Sequence, residues 1–265
     1  MQNLLTKLEV ADFEFLAEII RSRVAFTSDK HLRAAISAFA SETQSTDKRL
    51  ALCALVEREI RYLGSSDAAY FLRKISHRTG GPGVTFREVV TDVFRKLKLK
   101  QPDALCTDEE LVEHLVQAFT TLRVRQLPFD QQKVLLESAG MSASDVGTYL
   151  KNNSARFALP AIIQLAGMAA AQRIVTNVVI GAVGNYIGTT AARSMVTQLA
   201  TRFPVWGQSL GPIAWTLTGL WTAYDLQGPA MRKTIPISLY LGLCMLRDGG
   251  YDTDAAEPGA AGDAR

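Results

Sequence analysis

Gly207-Gln208-Ser209-Leu210-Gly211 has the G-x-S-x-G spacing of a hydrolase nucleophile elbow. That chemistry needs a strand before the serine, a helix after it and a downstream histidine to take the serine's proton. Here Phe203-Pro204-Val205-Trp206 is a poor strand, and Pro212 follows at once. His31, His77 and His114 all precede the serine, so the chain order of the triad fails. A Gly/Pro turn between helices explains the pattern better. The histidines also lack metal-ligand spacing. Neither H-x-x-x-H nor H-E-x-x-H occurs, so no two imidazoles share one helical face. Cys53, Cys106 and Cys244 are widely spread and form no C-x-x-C, which argues against a disulfide framework and for a reducing compartment. Gly80-Gly81-Pro82-Gly83 lacks the Lys-Ser/Thr of a phosphate-binding loop. These residues predict a protein with no catalytic residue, no metal and no cofactor.

Two charged features remain. Arg95-Lys96-Leu97-Lys98-Leu99-Lys100 is the densest basic run. It suits a helix C-terminus, where cations meet the negative end of the macrodipole. Its functional alternative is contact with an anionic membrane surface or an acidic partner. Asp225 is the one acid between Ser154 and Arg247. A carboxylate in so apolar a stretch needs a partner, because burying an unpaired charge is costly. Arg232 and Lys233 are the nearest bases, and an ion pair bracing the intervening turn is expected.

The elements that would carry these residues are helices. Phe13, Leu16, Ile20 and Val24 recur at helical spacing. Ser28-Asp29 can cap a second helix carrying Leu32, Ile36 and Phe39. Thr46-Asp47 opens a third, through Leu50 and Ala54 to Leu63, which Gly64 stops. Ser65-Ser66-Asp67 caps a fourth, and residues 79–83 form a loop. Thr85-x-x-Glu88 and Thr107-x-x-Glu110 are capping boxes. The first opens a helix predicted over residues 85–99, with Phe86, Val89, Val90, Val93 and Leu97 as its apolar stripe. The second precedes Leu111, Leu115, Ala118 and Leu122. Pro128 suits the first turn of a further helix. No stretch before residue 150 alternates like a half-buried strand.

The chain has 265 residues, 48% of them hydrophobic, and a formal charge of +3. It is long enough for a sizeable core and too near neutral for a nucleic-acid binder. The charge is unevenly spread. Residues 1–153 carry 21 bases and 20 acids, and form a mixed-charge helical domain. Residues 154–247 carry seven bases (Arg156, Arg173, Arg193, Arg202, Arg232, Lys233, Arg247) and one acid. Residues 248–265 hold five acids and one base, and read as a disordered acidic tail.

The middle region contains charge-free runs at 174–192, 203–224 and 234–246. As a helix the first is about 28 Å long, near the roughly 30 Å hydrocarbon core of a bilayer. Gly181, Gly184 and Gly188 place small residues on one stripe, as at close helix contacts. Thr176, Asn177, Asn185, Tyr186, Thr189 and Thr190 make the run only moderately hydrophobic. Two readings stay open: the buried hairpin of a soluble domain, and a membrane-associated or inserted hairpin. Acids from Glu9 onward argue against a signal peptide.

Leu63-Gly64-Ser65-Ser66, Leu72-Arg73 and residues 83–100 (GVTFREVVTDVFRKLKLK) together resemble the bacterial YaaW-like family, uncharacterised protein family UPF0174. An N-terminal Ala11-Asp12-Phe13-Glu14-Phe15-Leu16 segment fits as well. The resemblance returns at Gly211-Pro212 and at Ala230-Met231-Arg232-Lys233-Thr234-Ile235-Pro236, and runs on to Leu246-Arg247. It covers roughly residues 10–247. The family resembles the ubiquinol–cytochrome c chaperone family, whose members bind a newly made membrane subunit of a respiratory complex. The resemblance implies an all-α, non-enzymatic protein with no catalytic residues to carry over. Arg87, Asp92, Arg232 and Pro236 are the motif positions.

The expectation is an all-α protein in which an N-terminal helical domain precedes an apolar, Gly-rich helical hairpin. Three functions fit it. The first is a binding or chaperone-like protein, cytoplasmic and at or near the inner membrane, with a protein partner, anionic-lipid contact or self-association. The second is a membrane-active toxin, stress or phage-defence effector inserting the hairpin. The third is a soluble immunity or regulatory module.

Overall fold

The computed structural model describes residues 1–20, 27–41, 45–64, 84–102, 105–152, 159–187 and 231–249. The protein is all-α, and the described residues contain no strand. The helices are α1 (Gln2–Thr6), α2 (Val10–Ile20), α3 (Thr27–Ser41), α4 (Thr46–Gly64), α5 (Phe86–Lys96), α6 (Asp108–Gln126), α7 (Phe129–Ser138), α8 (Ala143–Asn152), α9 (Leu159–Ile187) and α10 (Met231–Gly249). Val24, the Ser65-Ser66-Asp67 cap, the 79–83 loop, the 203–224 run and residues 250–265 lie outside the described residues.

Both capping boxes form. The Thr85 hydroxyl accepts from the Glu88 N–H at 3.2 Å, and the Glu88 carboxylate accepts from the Thr85 N–H at 2.7 Å. Thr107 and Glu110 make the same pair at the start of α6, at 3.2 and 2.6 Å. Each box satisfies two N–H groups that a helix end leaves without intrahelical partners. Thr85→Ala is therefore expected to cost about 1 kcal/mol in urea unfolding. An unchanged unfolding midpoint would remove the cap from the account.

The stripe Phe86, Val89, Val90 and Val93 is buried as its spacing implies. The helix itself ends at Lys96, three residues short of the expected 99. Lys98 takes φ +55°, the Leu99 N–H donates to the Phe94 carbonyl at 2.9 Å, and the Lys98 N–H donates to the Arg95 carbonyl at 3.2 Å. That is a Schellman stop, with lysine where glycine is the usual residue. The left-handed conformation costs an L-residue about 1–2 kcal/mol.

Other boundaries move for similar local reasons. α3 already includes Thr27, one residue ahead of the expected Ser28-Asp29 cap. α4 spans its expected range, but Leu50 is 46% exposed, and the buried face runs through Leu52, Cys53, Val56 and Ile60. α6 buries Leu111, Val112, Leu115, Val116, Phe119 and Val124, so Ala118 and Leu122 sit on its margin. Pro128 is the N-cap of α7 and not a residue of its first turn.

Helices from both sides of residue 153 share one core. α10 is its centre and packs against α2, α4, α5, α6 and α9. Residues 234–246 are all buried, so this helix has no polar face. At Gly242 the backbones of α10 and α6 come so close that a Cβ would lie 2.3 Å from the Val112 carbonyl oxygen. α9 also packs on α6 and α10. It begins at Leu159, fifteen residues before the charge-free run, because Arg173 lies within the helix rather than at its boundary. Gly167 breaks its path with φ +81° and ψ 170°, a conformation in practice reserved for glycine. From Ala170 to Val183 most of α9 is buried. Thr120 on α6, Asn177 on α9 and Ser238 on α10 bury side-chain polar atoms without a hydrogen-bond partner.

Candidate functional site

Asp12 lies in the first turn of α2 and is 1% exposed. Its Oδ1 accepts from the Tyr240 hydroxyl at 2.8 Å, and the Cys244 thiol approaches that oxygen at 3.8 Å. Arg247 Nη1 donates to Oδ1 at 3.1 Å and to Oδ2 at 3.0 Å. The Glu9 backbone N–H donates to Oδ2 at 2.9 Å, so the carboxylate also serves the start of its own helix. Burial, and after it the neighbouring Asp12 carboxylate, holds the Tyr240 hydroxyl well above its ordinary pKa, so it remains a donor. A carboxylate offers about four lone-pair sites, and these donors take them. The arrangement holds α2 against α10.

Three of the four described bases of the cationic region are engaged in the same way, while Arg232 is exposed. Lys233 Nζ donates to the Ile20 carbonyl at 2.7 Å, at the C-terminus of α2. Arg173 Nη1 donates to the Ala139 carbonyl at 3.3 Å, at the C-terminus of α7. Arg247 pairs with Asp12. Each cation meets the negative end of a helix or a buried acid. Arg49, in the N-terminal part, does likewise with the carbonyls of Thr6 at 2.6 Å and Leu8 at 3.0 Å.

The motif positions are spread over separate elements. Arg87 on α5 donates to the carbonyl of Cys106, approaches its sulfur at 3.7 Å, and lies 3.8 Å from Asp108, so it ties α5 to the start of α6. Asp92 pairs with Arg95 one turn on, at 2.6 Å. Arg232 is exposed, while Pro236 is buried inside α10. Gly181 is buried in α9, and Gly184 lies in the same helix. Gly188 and Asp225 lie outside the described residues, as does the ion pair expected for Asp225. All three cysteines are free thiols.

A second feature lies between α5 and α6. Leu97 and Leu99 pack on the core, while Lys98 and Lys100 point outward and Lys96 is half-buried. Leu105, just before α6, is 98% exposed. Desolvation beside Phe94 and then the Lys100 charge push the His114 imidazole below its ordinary pKa, which puts His114 in the same cationic field. Among the described residues no group of three or more His, Cys, Asp or Glu side chains is placed to hold a metal ion.

The chain is 26% identical over 196 residues to a UPF0174 protein of Helicobacter pylori strain J99, covering 72% of this chain and 70% of that relative. The similarity supports membership of the UPF0174 family. No family model matches the chain, and no solved structure matches it.

Two of the stretches that carry the UPF0174 resemblance, residues 11–16 and Leu246-Arg247, meet in three dimensions at Asp12. Sequence reading did not pair them, because 235 positions separate acid and base. One signal was available. Asp12 stands at helical spacing with Phe15, Leu16 and Ile19, an acid inside an apolar stripe, which requires a buried partner.

Proposed function

We propose that this chain is a non-enzymatic helical binding protein that attaches peripherally to the cytoplasmic face of a bacterial inner membrane and engages a protein partner there. The observation that carries the reading is the setting of α9. Leu159–Val183 is the one described helix long and apolar enough to cross a membrane. Two thirds of its apolar window is buried against the bundle, and Arg173 sits near its midpoint with a partner on α7. An arginine at the centre of a bilayer costs roughly 2.5–3.5 kcal/mol on insertion scales, and α9 would also forfeit its packing. This favours a helix that stays in the core over one that spans. Tyr62 and Phe129, 71% and 59% exposed, are apolar surface for a protein partner. The bacterial relative supports the setting. A chaperone role for a membrane subunit, as in the ubiquinol–cytochrome c chaperone family, is the most specific form of this reading.

A soluble regulatory module is the second reading, favoured by the same burial of α9. Cell fractionation separates the two. A peripheral protein pellets with membranes at low salt and is released by a carbonate wash. A chain that never pellets supports the regulatory module, and one that survives carbonate is integral and overturns both.

A further inference from the structure

We propose that the lysines following α5 form a docking surface for anionic phospholipid, with Lys96, Lys98 and Lys100 meeting headgroups and Leu105, just ahead of α6, entering the interface. The proposal deepens the peripheral reading by naming the surface that would make the contact.

Three independent observations converge on it. The first is alternation. Leu97 and Leu99 pack on the core, Lys98 and Lys100 alternate with them and are exposed, and Lys96 at the end of α5 is half-buried. The second is charge. Lys96, Lys98 and Lys100 are paired with no described carboxylate. The described acids nearby are already engaged: Asp92 by Arg95, Asp108 by the Met1 amine and Arg87, Glu109 by Lys7, and Glu110 by the cap of α6. Residues 96–107 carry three lysines against one acid, Asp103, a net charge of +2 in a stretch of a chain that is near neutral as a whole. The third is conformation. Lys98 adopts φ +55°, where glycine would be unstrained, so the fold carries a strained cation at the middle lysine of the three. Strain held at an exposed charged position points to a use for that charge.

Leu105 supplies what a purely electrostatic surface lacks. At 98% exposure it is the most exposed large apolar side chain described, and it lies five residues after Lys100. Cations that approach headgroups beside an apolar side chain that enters the interface are the two components of stable peripheral attachment. A purely acidic peptide would use the lysines and leave Leu105 in water, whereas an anionic bilayer surface accommodates both, so lipid is the occupant we assign.

Cosedimentation of the purified chain with vesicles tests this. The probes are phosphatidylcholine vesicles with and without about one third phosphatidylglycerol, at low salt. Binding is expected to the anionic vesicles and not to the neutral ones. Each lysine contributes about fivefold, so combining Lys96→Ala, Lys98→Gly and Lys100→Ala should weaken binding about a hundredfold. Glycine relieves the strain at 98, so this variant remains folded, which circular dichroism verifies. Leu105→Ser should weaken binding about tenfold, with a loss that salt does not change. Absent binding, equal binding to both vesicle compositions, or an unchanged triple variant overturns the proposal. So does polyglutamate binding that depends on the lysines and outcompetes the vesicles, which would make the surface a protein site. Pelleting in cells without vesicle binding would sink this surface and leave peripheral attachment standing through a partner.

Discussion

Asp12→Asn is expected to lower the unfolding free energy by about 3–5 kcal/mol, the usual range when one member of a buried ion pair is removed. Asparagine keeps the shape and discards the charge. Arg247, whose side chain is 10% exposed, is then left as an uncompensated cation, and the Tyr240 hydroxyl loses a charged acceptor. The effect should be larger than for Asp92→Asn, because Asp92 pairs with Arg95 at the surface, where an ion pair is worth at most about 1 kcal/mol. Arg247→Met, made alone, should cost about as much as Asp12→Asn. The two together should cost less than their sum, because the double variant buries no unpaired charge. Urea unfolding of the four proteins gives the coupling. Strict additivity would mean that Asp12 and Arg247 are neighbours without a shared energy, and that another contact fixes α2 on α10.

Gly242→Ala is the second large effect, with an expected loss of about 3 kcal/mol or a failure to fold. The added methyl would stand 2.3 Å from the Val112 carbonyl oxygen and 2.5 Å from Val116 Cγ2. A side chain can rotate away from such a clash, but a backbone carbonyl inside α6 moves only with its helix. Helix propensity pulls the other way, since alanine is favoured over glycine by about 1 kcal/mol in a helix interior. Gly147→Ala provides the control. Gly147 is in α8, and nothing lies within 4 Å of its Cβ position, so propensity acts unopposed and stability should rise by about 0.5–1 kcal/mol. Thermal unfolding of both variants should give shifts of opposite sign. A Gly242→Ala protein as stable as the parent would mean that α6 and α10 do not approach this closely in solution.

The local features were legible because they are decided within one or two turns. Thr85 and Glu88 make a capping box whatever the rest of the chain does, and so do Thr107 and Glu110. The stripe from Phe86 to Val93 follows from spacing alone, and so does the all-α class. Endings were harder. Nothing in Lys98 as a residue type announces a left-handed stop, since that conformation becomes tolerable only when Leu99 is held on the core.

What tertiary structure decided is which polar and small residues matter, because their partners lie far along the chain. Gly181, Gly184 and Gly188 stand out in the sequence as a stripe, whereas Gly242, a lone glycine without a pattern, proves to sit where the backbones of α10 and α6 meet. The cationic excess of residues 154–247 is plain in the sequence, but the partners of its bases are not. Arg173, Lys233 and Arg247 serve Ala139, Ile20 and Asp12, each on a helix that sequence reading had assigned to another region. Periodicity shows which face of a helix is apolar, and it is silent about which helix covers it. A buried charge or a missing side chain takes its meaning from that covering helix, so packing alone could fix the roles of Asp12 and Gly242.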